Sequence, residues 1–281
     1  MASLGENWRR GQQVLAAAGL ESPRLDARLL LEWAAGCGHT ELLTHPEREL
    51  MAPAQAQFDA WLTRRAQGEP LAYVVGESEF RGRFFQVSPA VLIPRPETEV
   101  LIDLALERLS GLTAPRVVDL GTGSGIVAIT LALECPAAQV TAVDLSGDAL
   151  AVARNNAGRL GARVNFQQGD WFAPLTGERF DLVVSNPPYV AEGDPHLDRD
   201  GLPFEPRMAL SDSDQGGDGL ACIRRIVAAA PAYLEPGGWL LFEHGYDQGE
   251  ASRNLLAAAG FKAAFTHPDL AGIDRVSGGH L

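Results

Sequence analysis

Val117-Val118-Asp119-Leu120-Gly121-Thr122-Gly123-Ser124-Gly125 reads as a buried strand that runs straight into a glycine-rich turn, and Ile126–Glu134 behind it reads as a helix. A turn of this kind lets a ligand approach bare backbone at a helix N-terminus, where unpaired N–H groups favour negative charge. Alone, it is also what any tight strand-to-helix connection uses. Its spacing is G-x-G-x-G rather than G-x-G-x-x-G, which suits a nicotinamide dinucleotide poorly. The next strand, Gln139–Asp144, ends on an acid 19 residues after Gly125. A carboxylate at that tip can accept two hydrogen bonds from ribose hydroxyls, so turn and acid together indicate a ligand that carries a nucleoside. After a third strand, Arg163–Gln167, comes Gly169-Asp170-Trp171-Phe172. There Trp171 can offer a ring face to an adenine, and Asp170 is an alternative polar contact.

Strands and helices keep alternating to the C-terminus. The further strands are Asp181–Ser185, Trp239–Glu243, Lys262–Thr266 and Asp274–Gly278, and the further helices are Ser146–Arg159, Gly219–Tyr233 and Gln248–Ala259. Such alternation predicts an α/β fold, a parallel sheet covered on both faces. The link between the last two strands is too short for a crossover helix, so they should be antiparallel neighbours. Working toward the N-terminus, residues 93–99 (Ile-Pro-Arg-Pro-Glu-Thr-Glu) form a stiff proline-paired segment leading into a helix to about Leu109. Residues 71–92 read as a β-hairpin linker, with Tyr73-Val74-Val75 and Phe84–Val87 as its strands. Residues 1–70 read as a small helical domain. Trp8, Val14, Leu15 and Ala18 share one face of its first helix. Leu25, Leu29, Leu30 and Trp33 share a face of the second, with Asp26 and Glu32 turned outward. Residues 93–281 then make the α/β domain. One long acidic loop, 191–217, carries no assignment.

The chemistry is sharpest at Asn186-Pro187-Pro188-Tyr189, directly after the strand Asp181–Ser185. An amide or exocyclic amino nitrogen is a poor nucleophile because its lone pair is delocalised. An acceptor on each of its N–H bonds holds it in place and favours pyramidalisation. The side-chain oxygen of Asn186 is one such acceptor and the carbonyl of Pro187 the other. The two prolines fix the local φ angles and donate no backbone N–H. Tyr189 can cover the planar group or pack beside it. Holding two reactants in attack geometry supplies about 7–11 kcal/mol.

Together, Gly121–Gly125, Asp144 and the tetrapeptide resemble the class I S-adenosylmethionine-dependent methyltransferases, in the branch that methylates amino and amide nitrogens. Ile93-Pro94-Arg95-Pro96, Gly169–Phe172, Phe204-Glu205-Pro206-Arg207, Gly217-Asp218-Gly219-Leu220 and Glu243-His244-Gly245 narrow the resemblance to the release factor glutamine methyltransferase (PrmC/HemK) family, over nearly the whole chain. The resemblance implies a Rossmann-like seven-stranded sheet with a helical N-terminal domain. It implies N(5)-methylation, with S-adenosylmethionine as the cofactor, of the glutamine in the Gly-Gly-Gln motif of class I peptide chain release factors. Carried across residue by residue, Gly121, Thr122, Gly123, Ser124, Gly125, Asp144 and Trp171 bind the cofactor. Asn186 touches cofactor and substrate, and Asn186, Pro187, Pro188 and Tyr189 hold the glutamine amide. Residues 1–70 help dock the release factor.

The charge sum over the 281 residues is 23 − 36 = −13, which speaks against a wide nucleic-acid footprint and suits a protein partner. The rivals are a ribosomal protein glutamine methyltransferase, an N(6)-adenine or RNA amino methyltransferase, and a scaffold that binds the cofactor without turnover. The cysteines, Cys37, Cys135 and Cys222, lack CxxC spacing and read as free thiols in a reducing cytoplasm. The histidines show no ligand spacing, so no metal is expected. His244 and Glu243 read as structural residues that could also line the site, and Arg95, Glu97 and Glu99 as shaping its floor or pairing with one another. No apolar run approaches the roughly 20 residues of a membrane span, and the polar start carries no signal peptide.

Overall fold

The computed structural model describes residues 2–199, 201–215 and 217–281. They form two compact units, one built on Met1–Glu77 and the other on Ser78–Arg199 with Glu205–Leu281. The short stretch ending at Phe204 goes with the first.

The first unit holds α1 (Leu4–Ala17), α2 (Pro23–Ala35), α3 (His39–Thr44), α4 (Ala52–Ala66) and α5 (Leu71–Val75). A reciprocal capping box starts α1: the Ser3 hydroxyl accepts from the Glu6 N–H and the Glu6 carboxylate accepts from the Ser3 N–H. The buried face of α1 is Leu4, Asn7, Gly11 and Leu15, while Val14 and Ala18 are exposed. The expected face was therefore rotated. Gly11 is the reason: a Cβ there would lie 3.0 Å from both Ala27 Cβ and the Phe58 ring, so the helices touch where the side chain is smallest. In α2 the inward residues are Asp26, Ala27, Leu30 and Leu31. Asp26 turns inward, against expectation, because its carboxylate accepts from Arg65 Nε at 2.8 Å. Tyr73-Val74-Val75 is not a strand. Pro70 begins a helical turn there, and Gly76, in the left-handed region at φ 84°, ends it.

The hairpin is instead β1 (Glu77–Phe80) and β2 (Arg83–Gln86). Phe80 and Phe85 are buried in the core of the second unit. Then follow α6 (Thr98–Leu109), β3 (Arg116–Leu120), α7 (Ile126–Glu134), β4 (Gln139–Asp144), α8 (Gly147–Leu160), β5 (Val164–Gln168) and β6 (Phe180–Ser185). Arg81 and Arg83 reach the Glu134 carboxylate at the end of α7, at 3.1 and 2.7 Å, and tie the hairpin down. The acidic stretch is more ordered than expected. It contains β7 (Val190–Glu192), α9 (Arg207–Leu210) and β8 (Ser211–Gln215), with β7 and β8 paired in parallel. Glu192 organises it by accepting from Arg207 at 2.7 Å and from the Ser211 hydroxyl at 2.8 Å. Strands this short leave no periodic signal. Asp200 and Gly216 of that stretch lie outside the described residues. The chain closes with α10 (Ala221–Ala229), β9 (Leu234–Glu243), α11 (Gly249–Ala258), β10 (Lys262–Pro268) and β11 (Asp274–His280).

The expected seven-stranded sheet has the order β10-β11-β9-β6-β3-β4-β5. Its strands are parallel except β11, which runs antiparallel to β9 and β10. Successive strand residues feed opposite cores. Val117, Leu182 and Leu241 pack with Leu101, Ile102 and Ile129 on one face. Val118, Val183 and Leu240 pack with Ile223, Ile226 and Leu256 on the other. Strand order reverses at β3, which places the tips of β3, β4 and β6 around the crevice where ligands bind in such sheets. Among the described residues, no helix is long and apolar enough to cross a membrane.

Candidate active site

A cavity of about 250 Å³ opens at those strand tips. One wall is the turn after β3. Gly121, Gly123 and Gly125 all take positive φ, at 72°, 56° and 86°, and Gly121, Thr122, Gly123 and Ser124 line the cavity. Gly125 does not. It caps α7, where a Cβ would sit 2.7 Å from Ile129 and 3.1 Å from Ala153, so its bareness serves helix packing.

Asp144, at the tip of β4, knots the turn to its neighbour. Its carboxylate accepts from the Gly123 N–H and the Ser146 N–H, both at 2.8 Å. Asp119 lies beneath, accepting from the Thr122 hydroxyl at 2.6 Å and the Ala128 N–H at 3.2 Å. Burial pushes its carboxyl up to about 7, and the nearby Asp144 adds to the rise. Burial also raises Asp144, against the pull of the backbone N–H groups it accepts from. Trp171 takes φ 49°, which is uncommon for an aromatic residue. Its ring passes 3.4 Å from where a Cβ on Gly121 would be.

Two basic side chains on the wall are already matched: Arg95 pairs with the buried Glu205, and Arg225 with Asp170. Arg95 thus reaches the site, but its partner is Glu205 rather than Glu97 or Glu99. With the cations neutralised, the Asp144 carboxylate, joined by Asp119 as it ionises around pH 7, gives the cavity a negative field suited to a positively charged ligand.

The other end is the tetrapeptide after β6. Asn186 and Pro188 line the cavity, while the Pro187 ring is buried. The Tyr189 side chain turns away from the wall and donates to Glu243 Oε1 at 3.1 Å. Burial, and then the Glu243 carboxylate, hold its phenol well above the usual range. Behind it, Gln248 donates to the carbonyls of Tyr189 (3.0 Å) and Asp218 (2.9 Å). Gly219 must be bare there, since a Cβ would lie 2.2 Å from the Tyr189 carbonyl oxygen.

Several of these residues carried no site assignment in the sequence. Asn156, on α8, donates to the Ser124 carbonyl (2.9 Å) and exchanges two bonds with the Gln86 backbone (2.7 and 3.0 Å), linking hairpin to glycine turn. Glu205 accepts from the Ile93 N–H at 2.9 Å. Thr98 joins Asn186 to Glu243. Neither Thr98 nor Asn156 leaves a signal in the sequence: Thr98 sits between Glu97 and Glu99 at a polar helix start, and Asn156 is one polar residue within a helix. His244 is buried away from the cavity, bonded to Ser277 at 2.9 Å, and burial lowers its basicity.

Residues 6–76 match the PrmC N-terminal domain, and residues 98–198 match the methyltransferase small domain. The chain is 50% identical over 271 residues to the release factor glutamine methyltransferase of Bordetella pertussis, covering 96% of this chain and 98% of that one. It is 50% identical over 276 residues to that of Burkholderia pseudomallei, covering 96% and 95%. For Salmonella typhimurium the figures are 45% over 262 residues, covering 93% of each. Among solved structures, the Thermus thermophilus 16S rRNA N2 G1207 methyltransferase, in complex with AdoMet and guanosine, superposes with a TM-score of 0.55 at 21% identity. That match covers 73% of this chain and 49% of the other. A methyltransferase from Pyrococcus furiosus gives 0.53 at 17% identity, covering 82% and 98%. At these identities the two structures speak to fold alone.

Proposed function

The chain belongs to the release factor glutamine methyltransferase family, and from that premise we propose how its residues divide the work. The enzyme is an S-adenosylmethionine-dependent protein-glutamine N-methyltransferase. Its substrate is the glutamine of the Gly-Gly-Gln motif in class I peptide chain release factors, and the product carries one methyl on the side-chain amide nitrogen. The observation that carries this reading is the match at half identity over nearly the full length of both chains.

The cavity fits the cofactor. Its bare glycine wall, the Asp144 carboxylate, the Trp171 ring and the negative field match a backbone approach, a ribose, an adenine and a net positive charge in turn. The turn Gly121–Ser124, Asp144, Trp171 and Asn186 would hold it, with Gly125 setting the helix behind. When bound, S-adenosylmethionine supplies a methyl group activated by its sulfonium.

The chain's own residues present the acceptor. Asn186 Oδ1 takes one N–H of the substrate amide and the Pro187 carbonyl takes the other. Pro188 and Tyr189 fix the backbone that carries both. The amide nitrogen gains a methyl and gives up one proton. Glu243 is not the base, because its two oxygens face Thr98 and Tyr189 behind the site. The proton leaves to water from a nitrogen that methylation has made strongly acidic. The helical unit helps dock the release factor, an acidic surface suits that partner better than nucleic acid, and the cytoplasm is where the two meet.

The test is mass spectrometry of a release factor incubated with this protein and S-adenosylmethionine. One added methyl on the Gly-Gly-Gln glutamine is the expected result. Methyl appearing only on a ribosomal protein or a nucleic acid would overturn the substrate assignment.

A further inference from the structure

Ser185 on β6 is in register with Phe242 on the neighbouring parallel strand β9. Asn186, just past the end of β6, and Glu243, the last residue of β9, therefore lie side by side. Asn186 goes to the cavity wall, and Glu243 is buried, 1% exposed, behind it. Thr98, the first residue of α6 and itself fully buried, sits between them. Its hydroxyl donates to Glu243 Oε2 at 2.8 Å and accepts from Asn186 Nδ2 at 3.2 Å. The other carboxylate oxygen accepts from the Tyr189 hydroxyl.

The direction of this chain follows from the chemistry of its groups. Burial raises the Glu243 carboxyl, but the hydrogen bonds it accepts from Thr98 and Tyr189 pull the other way and favour its ionised form, which only accepts. A threonine hydroxyl has one proton, and here Glu243 takes it, so toward Asn186 the threonine oxygen can only accept. The NH₂ end of the Asn186 amide must then face Thr98, and Oδ1 is left pointing the other way. Turning the amide over would set two acceptor oxygens against each other.

We infer that Thr98 and Glu243 are positioning residues that lock the Asn186 amide with its oxygen toward the substrate, an inference that rests on the role proposed above for Asn186. A purely structural part for Glu243 fits poorly. Among the described residues no salt bridge reaches it, and burying a lone carboxylate works against folding. What the carboxylate supplies, and a neutral side chain does not, is acceptance on both oxygens, which fixes the sense of the hydrogen bonds from Tyr189 and Thr98.

The experiment compares Thr98→Val, Thr98→Ser, Glu243→Gln and Asn186→Ala in the full chain. For each, kcat on an intact release factor, calorimetric affinity for S-adenosylmethionine and the thermal midpoint are measured. Thr98→Val and Glu243→Gln should lower kcat by about tenfold to a hundredfold, the scale of one lost buried hydrogen bond. Cofactor affinity should change less than twofold. Thr98→Ser keeps the hydroxyl and should recover most of the rate. Glu243→Gln should melt no lower than the parent while turning over slowly, which a structural role would not produce. If Asn186→Ala is slow but Thr98→Val is as fast as Thr98→Ser, the positioning inference falls and the role of Asn186 stands. The same holds if Glu243→Gln turns over at the parent rate. If Asn186→Ala itself keeps normal turnover, both fall.

Discussion

The two ends of the cavity are built in opposite ways. The end we propose for the cofactor is local and made largely of backbone. Gly121–Ser124 follow one strand, Asp144 ends the next, and the carboxylate accepts main-chain N–H groups at 2.8 Å. The end we propose for the substrate is non-local and, apart from the Pro187 carbonyl, made of side chains. Thr98, Asn186, Tyr189 and Glu243 come from a helix start, a strand tip, the turn after it and a second strand tip. A backbone cradle tolerates side-chain change at many positions but not a change of conformation. A side-chain relay tolerates neither loss nor reversal of any one link. The difference predicts that variants at the substrate end cut turnover while leaving the cofactor bound, and that variants at the cofactor end weaken binding first.

The largest effect expected is at Asn186. Asn186→Ala should lower kcat by roughly 10²–10³, the scale of one lost preorganised hydrogen-bonding group. Affinity for the cofactor should fall far less. Steady-state turnover beside calorimetry checks this. Equal losses in both would erase the distinction between the two ends. Next is Asp144→Ala, which should weaken S-adenosylmethionine binding by about 1.5–3 kcal/mol, the range for a hydrogen bond to a charged group. Unchanged calorimetric affinity would take Asp144 out of the site. Smaller again is Gly219→Ala. At φ +73° an alanine is strained, and its Cβ would overlap the Tyr189 carbonyl. A shift of the tetrapeptide should cost about 1–3 kcal/mol in kcat/KM for the release factor, with the cofactor bound as before. Loss of cofactor binding in that variant would mean that the two ends are mechanically one.

This difference also explains what could be read ahead of the structure. The cradle was legible because its determinants sit next to one another: a strand, three glycines, a helix, and an acid at the following tip. Asn186-Pro187-Pro188-Tyr189 was legible because four residues state a chemistry together. The relay behind them was not. Thr98 reads as one more residue of a helix start, and Glu243 as an acid at a strand end. Only the register of β6 with β9 brings Asn186 and Glu243 side by side. The inward turn of Asp26 and the rotated face of α1 failed for a related reason. A hydropathy pattern cannot anticipate a buried ion pair, nor a helix contact that uses glycine.

The smallest effect sharpens the comparison from below the cradle. Asp119 stands at about 7 in the folded chain, against 3.8 for an unperturbed aspartate. The folded state therefore holds an extra proton between those values. As pH rises through that window the unfolded chain has already ionised and the folded chain resists, so this group's contribution to stability falls. The loss is at most about 1.4 kcal/mol per pH unit and ends once both states are ionised, above about pH 7. Raised Asp144 and Glu243 act in the same sense, and His244, lowered by burial, acts in the opposite one. The signal is therefore the difference between parent and Asp119→Asn, whose neutral side chain can still accept from Thr122 or Ala128. Denaturation midpoints at pH 5.5 and 6.5 should fall further in the parent than in the variant. Parallel curves would mean that the carboxylate is already ionised in the folded chain. The field at the cofactor end would then be more negative than burial alone allows, and affinity for a cationic ligand would stay flat across the same pH range instead of rising with it.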